Sequence, residues 1–308
     1  MPVVLGLASS HAPSMFVDAE HWPTVYKGLA KDVPPPPEFA AETPAVLEQH
    51  ARRVKAGFAA LRAQIEAVKP DAIFIIGDDQ NELFSSALIP SFAMFVGDEA
   101  EGTYSISWIG EKPQDNWIKL PCHSAIAKIA LAGLVERGFD MAYAEKLVPQ
   151  ARPELGIGHA FTRVSRVLRF VESGIPIVPI FTNAYHPPLP SAARCHAFGQ
   201  ALREVFANRV ERVAIYGSGG LSHDPRGPRA GEVDEKLDRW VLDRLAQGDD
   251  AALQRLFTPD IASFGAGTGE IRNWVAVAGA YAGAKATVVD YIPSRHAVTG
   301  LGFAYWNS

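Results

Sequence analysis

What the sequence most plainly lacks is a basic run. Lys and Arg number 29 against 34 Asp and Glu, a formal charge of −5 spread along 308 residues. No stripe of positive charge could neutralise successive phosphates, so nucleic acid is excluded as a partner. Cysteine is scarce too: Cys122 and Cys195 are the only two. They lack metal-motif spacing and cannot make a disulfide framework, so both read as buried fillers in a cytoplasmic protein. Long hydrophobic runs are also missing. The apolar start Val3-Val4-Leu5-Gly6-Leu7 has no basic leader and breaks at Ser9-Ser10-His11, too soon for a signal peptide or a membrane span. A core strand is expected there. Internal repeats and linkers are absent as well.

What is present is enough apolar material for a large core, 48% of residues, and one domain over residues 1–308 is expected. Short apolar runs recur at Val3 to Ala8, Ala72 to Ile76, Ile175 to Phe181 and Val213 to Tyr216. Each is closed by polar residues, Gly or Pro, as buried parallel strands are. Between them, Pro44 to Val68, Ala192 to Ala207 and Glu232 to Ala246 carry amphipathic helical spacing, the first with Pro at its start. The alternation predicts an α/β fold, a central mostly parallel sheet covered by helices on both faces. The stiff Pro34-Pro35-Pro36-Pro37 tract makes Met15 to Thr43 a surface wrap.

In such sheets ligands gather beyond the carboxyl ends of the strands. Four strand ends carry unusual residues: Ser9-Ser10-His11, Gly77-Asp78-Asp79-Gln80, Asn183-Ala184-Tyr185-His186, and Gly217-Ser218-Gly219-Gly220-Leu221-Ser222-His223. They should converge. A lone His after a strand is more often a hydrogen-bonded turn residue than a ligand, and His186, followed by two prolines, keeps that reading. His223 does not, because its glycine-rich turn lets backbone pass close to a ligand. The same turn could cradle a phosphate, yet it has neither dinucleotide nor P-loop spacing. Gly217-Ser218-Gly219 also misses the spacing of a hydrolase nucleophile elbow. Near the end, Gly265 to Gly269 leads into Glu270 at the head of an apolar helix reaching about Tyr281. A carboxylate buried there needs a cation or a charged partner.

These residues resemble the class III extradiol ring-cleavage dioxygenases, in particular the catalytic subunit of protocatechuate 4,5-dioxygenase and its gallate-cleaving relatives. The resemblance spans nearly the whole chain. It rests on Ser9-Ser10-His11, on Gly217 to His223 with Gly227-Pro228-Arg229-Ala230-Gly231, and on Gly269-Glu270 leading to Trp274; weaker echoes are Ile89 to Ala93, Gly158-His159-Ala160 and Ile292-Pro293. It implies a single Fe(II) bound by His11 and Glu270, His223 as acid/base, and His159 beside the substrate. It also implies a catechol-like substrate of protocatechuate, gallate or methylgallate type, O₂ as co-substrate, and assembly as a homodimer or with a small helical subunit.

One departure matters. Where the family places its second iron histidine, after an Asp at the end of the second strand, this chain has Gln80. Gln80 could ligate through its amide oxygen, a neighbouring carboxylate could do so, or another histidine could reach in. His50, early in the helix before the second strand, is preferred for the last role, with Gln80 beside it as an orienting residue. The alternatives to an oxygenase are a metal-dependent hydrolase or lyase on the same scaffold and a non-enzymatic binding relative.

Overall fold

All four expected runs are strands, and their full apolarity has a simple cause: both faces of the sheet are covered. In the computed structural model, which describes residues 2–259, 261 and 264–308, the strands are β1 (Val3–Ser9), β2 (Ala72–Gly77), β3 (Phe92–Phe95), β4 (Glu99–Thr103), β5 (Trp117–Pro121), β6 (Ala142–Ala144), β7 (Ile177–Thr182), β8 (Val213–Ser218), β9 (Thr287–Ser294) and β10 (Thr299–Asn307). The helices are α1 (Trp22–Ala30), α2 (Pro44–Val68), α3 (Ser124–Glu136), α4 (His159–Val167), α5 (Ala192–Phe206), α6 (Glu235–Gln247), α7 (Asp250–Leu253) and α8 (Ile271–Ala280).

Eight strands form one sheet in the order β6-β3-β7-β2-β8-β1-β10-β9, and β4-β5 make a separate hairpin. The centre β7-β2-β8-β1 is parallel, while β10, β9 and the β3-β7 junction are antiparallel. Side chains alternate across it: Ile73 and Ile75 join the core under α2 and α4, and Phe74 and Ile76 the core under α3, α5 and α8. Each such side chain contributes roughly 1.5–3 kcal/mol by leaving water.

Helix α2 buries Leu47, Ala51, Val54, Phe58, Leu61 and Ile65, the i, i+4, i+7 stripe of its sequence. It lies against β1, β9 and β10, and Phe58 meets Phe303 edge-on at 5.1 Å. Helix α6 starts at Glu235 rather than Glu232 because Asp234 caps it, accepting the Leu237 N–H at 2.9 Å. The Met15–Thr43 segment contains α1, whose Val25, Tyr26 and Leu29 make a small core with Ile106, Ala230 and Val298. Cys195 is fully buried and Cys122 half-buried, both unpaired. Among the described residues, no helix is long and apolar enough to cross a membrane.

Candidate metal centre and active-site cavity

Strand β8 lies between β1 and β2, so the ends of three parallel strands open side by side, and α8 begins opposite them. His11 follows β1, Asp78 directly follows β2, and Glu270 stands at the head of α8, all buried. Together they form the one histidine–carboxylate group able to hold a metal ion among the described residues. His11 Nε2 is 3.4 Å from Glu270 Oε2 and 3.8 Å from Asp78 Oδ1.

The protonation of His11 follows from its neighbours. Ser218 Oγ donates to the Ala160 carbonyl at 2.7 Å, so at 3.0 Å from His11 Nδ1 it accepts. The ring proton is thereby on Nδ1, and the Nε2 lone pair faces the carboxylates without a hydrogen-bond partner. Burial foremost, opposed by Glu270 and reinforced by nearby His159 and His223, lowers the His11 pKa to about 3, so the ring is neutral. Neither oxygen of Asp78 receives a hydrogen bond. Burial, then Glu270 and Glu82, push its pKa well above the usual range. The bare His11 nitrogen and the ionised Glu270 thus converge with an Asp78 carboxyl that burial and its neighbours favour in the acid form, and a divalent cation taking that proton's place would complete the donor set.

Glu270 is held from all sides. Gly220 N–H donates to Oε2 at 2.7 Å; the Tyr185 hydroxyl and Gln80 Nε2 donate to Oε1 at 2.5 and 3.1 Å. Burial alone would raise its pKa, but His223 and His11 with these hydrogen bonds keep it well below the carboxylate range. Glycine is needed beside it: Gly219 has φ +122°, and a Cβ there would come within 2.6 Å of Glu270 Oε2. Asn273 and Trp274 on α8 bind the Ser218 and Gly219 carbonyls at 2.7 Å, locking the turn onto the helix. With the Ser218 hydroxyl and the Gly220 amide so committed, neither a serine nucleophile nor a phosphate cradle remains in the glycine turn.

His223 donates Nδ1–H to the Leu221 carbonyl at 2.8 Å, turning Nε2 to the cavity, 3.3 Å from both Glu270 Oε1 and the Tyr185 oxygen. Desolvation would lower its pKa, yet Glu270 outweighs that and raises it. Its loop is rigid, as Asp224-Pro225 suggested: Asp224 accepts the N–H of Arg229 and of Ala266. His159 leads α4 and is gripped through Nδ1 by Glu82 at 2.5 Å, its ring 4.7 Å from that of His11. His11, Gln80, Glu82, His159, Tyr185, His223 and Glu270 line a cavity of roughly 360 Å³, whose walls include Leu29, Trp108, Arg152, Arg163 and Arg226.

Residues 34–302 match the family described as the catalytic LigB subunit of aromatic ring-opening dioxygenase. The chain belongs to that family. Curated relatives include 2,3-dihydroxyphenylpropionate/2,3-dihydroxicinnamic acid 1,2-dioxygenases from Photorhabdus laumondii (30% identical, covering 65% of this chain and 56% of the relative) and Burkholderia vietnamiensis (25%, 75% and 82%). The match spans little more than half the length of the first of these relatives. Among solved structures, the uncharacterized protein JW3007 from Escherichia coli K12 has the same fold, at a TM-score of 0.55 and 14% identity, covering 98% of this chain and 99% of its own.

Of the residues expected from sequence, the structure brings His11, Gln80, His159, His223 and Glu270 to one cavity. His50 is the correction. It lies outside the cavity on the flank of α2, its ring 6.3 Å from Trp22, near Glu42 and His296. The reason is the sheet: α2 packs over β1, β10 and β9, toward the antiparallel end, whereas the site opens over β2, β8 and β1. His186 sits in a turn closed by Asn183, whose Oδ1 accepts its N–H at 2.9 Å. Sequence reasoning did not single out Tyr185, Glu82 or Arg163, and it treated Asp78 only as one of several neighbouring carboxylates. The available signal was position, since Asp78, Glu82 and Tyr185 all follow strand ends.

Proposed function

We propose that the protein is a non-haem Fe(II)-dependent extradiol dioxygenase that opens the ring of a catechol bearing a carboxylate, incorporating both atoms of O₂. The observation that carries this reading is the unpaired Nε2 of buried His11 facing Glu270, with His223 Nε2 turned into the same cavity. His11 and Glu270 would hold the iron. When bound, iron supplies a place where catecholate and O₂ meet and a route for electron density between them, which the spin mismatch of triplet O₂ with the aromatic otherwise forbids.

The chain's own groups place the substrate and move its protons. His223, fixed at Nδ1, takes a phenolic proton on Nε2 and returns it as the ring opens. Tyr185 and Gln80 keep the Glu270 carboxylate in one orientation. Glu82 holds the His159 ring toward the substrate side. Arg163 is anchored by one nitrogen on the Ser105 carbonyl at 2.9 Å and keeps Nε unpaired. With Arg152 and Arg226 on the same walls, it suits an anionic ring substituent. Protocatechuate, gallate, methylgallate and the 2,3-dihydroxyphenylpropionate named for the relatives all offer one. A reducing cytoplasm, and assembly as a homodimer or with a small helical subunit, belong to the same reading.

Anaerobic loading with Fe(II) followed by an oxygen-electrode screen over carboxylated catechols tests it. The expected result is one O₂ consumed per substrate opened. Iron-dependent turnover of an ester or amide without O₂ would favour the hydrolase; no turnover and no O₂ uptake would favour a binding protein.

A further inference from the structure

Asp78 is fully buried directly after β2, and neither of its oxygens has a donor in hydrogen-bond geometry, although the Gln80 amide lies close enough to favour its ionised form. The carboxylates around it are all provided for. Asp79 turns away and accepts the N–H of Leu83 at 2.7 Å and of Phe84 at 3.2 Å. Glu82 grips His159, and Glu270 takes Gly220, Tyr185 and Gln80. What Asp78 faces is the bare Nε2 of His11 at 3.8 Å, too far for a hydrogen bond. A buried carboxyl left in that condition holds either a proton or a cation, and here it stands within reach of two further donors to one ion, His11 and Glu270.

We propose that Asp78 is itself a ligand, so that the centre is one imidazole and two carboxylates, His11, Asp78 and Glu270, in place of the two histidines and one carboxylate implied by the resemblance. The inference rests on the function proposed above only in taking the centre to bind a divalent metal. Donors bonded at about 2.0–2.2 Å to one first-row ion lie roughly 3–4 Å apart, and the separations here are 3.4 and 3.8 Å.

Gln80 is not needed as a ligand. Its side chain meets Glu270 Oε1 and the Tyr185 oxygen, both at 3.1 Å, and also acts on Asp78; the first two are acceptors once the Tyr185 proton goes to Glu270, so the amide nitrogen is the end that faces them. It is a positioning residue. Two carboxylates neutralise a divalent ion and are hard donors, so the site should favour Mn²⁺ and Fe²⁺ over Zn²⁺ relative to a two-histidine site.

The probe is Mn²⁺ alone, added to the metal-free full chain and followed by bound metal after dialysis and by thermal melting. Wild type should keep about one ion per chain and melt higher with Mn²⁺. Asp78→Asn, which matches the size of the neutral carboxyl, should melt close to wild type when metal-free, which shows it folded. It should also bind Mn²⁺ more weakly by more than the roughly 10- to 100-fold typical of an outer-shell loss. Gln80→Ala should stay within that lesser loss, and His50→Ala should bind as wild type. Asp78→His should fold, bind, and shift preference toward Zn²⁺.

Wild-type Mn²⁺ affinity in Asp78→Asn, or an equal loss in Gln80→Ala, overturns the proposal, as does a wild type that binds neither Mn²⁺ nor Fe²⁺. If Asp78 proves necessary for metal but the iron-loaded protein consumes no O₂ with any catechol, the activity reading fails and the centre stands. If Asp78→Asn keeps full metal and full O₂ uptake, the centre fails and the activity stands.

Discussion

Two buried groups of histidine and carboxylate in this protein use the same side chains to opposite ends. Glu42 and His296, 8% and 5% exposed, meet at 2.7 Å. The Glu42 oxygens also take the N–H of Arg295 and His296 at 2.7 and 2.9 Å and the Ser294 hydroxyl at 3.2 Å. Phe39 stacks on the His296 ring at 3.8 Å. That pair is closed: its lone pairs and charges are used within the chain, tying the segment ahead of α2 to the β9–β10 turn. His11, Asp78 and Glu270 are at least as buried, at 3%, 0% and 0%, but stand farther apart and leave His11 Nε2 and both Asp78 oxygens unpaired. Burial and residue type are the same in both places. The difference is whether hydrogen bonding is completed from within, and an uncompleted set is what marks a site.

The harshest way to break the comparison is to remove a member of the open group. Glu270→Ala should reduce bound metal and O₂ uptake to background, because too few protein donors remain to compete with water; metal per chain and an oxygen electrode check this, and stoichiometric metal in the variant would remove Glu270 from the centre. His223→Gln should keep its metal while kcat falls roughly 10²- to 10⁴-fold, the usual range for a lost acid/base. An unchanged kcat would take His223 out of the chemistry.

The closed pair should fail differently. Glu42→Ala should cost about 3–5 kcal/mol, the cost of leaving one partner of a buried pair alone, read as a urea midpoint, with metal content per folded chain unchanged. Loss of metal from folded Glu42→Ala would erase the distinction. The smallest effect sharpens it. Burial opposes ionisation of Glu82, but His159 and the hydrogen bonds from its ring and backbone win, lowering the pKa from 4.5 to about 2. For an acid whose native pKa is depressed, stability is present above pH about 4.5 and lost as pH falls toward about 2. The gap allows at most about 3 kcal/mol. Subtracting the acid limb of Glu82→Gln from that of wild type should show it, and coincident limbs would mean that Glu82 is not held ionised.

The parallel centre of the sheet was legible because a strand buried on both faces must be apolar at every residue, as β2 is. Strands β3 and β6 are too short to show a period, and β9 mixes intermediate with buried positions. Helix α4 was visible only as Gly158-His159-Ala160, since its function is carried by where His159 points. At the site, His11, His223 and Glu270 stood out as ionisable groups after strand ends or in apolar surroundings. His50 misled because its place along α2 was right while the path of α2 across the sheet was not readable. Asp78 and Asp79 could not be told apart, because adjacent side chains point opposite ways and only the assembled fold says which way is inward.

Taken alone, the sequence determined the layered α/β architecture and the ends of the strands where chemistry would gather, because periodicity and burial of an apolar run are local properties written in consecutive residues. Which polar groups meet, and which are left unpaired, was decided only by the tertiary structure. His11 takes its tautomer from Ser218, 207 residues away, and Glu270 its orientation from Gln80, 190 residues away. A buried polar atom is satisfied or not by partners brought from across the chain, so the open centre exists only once the strands stand side by side.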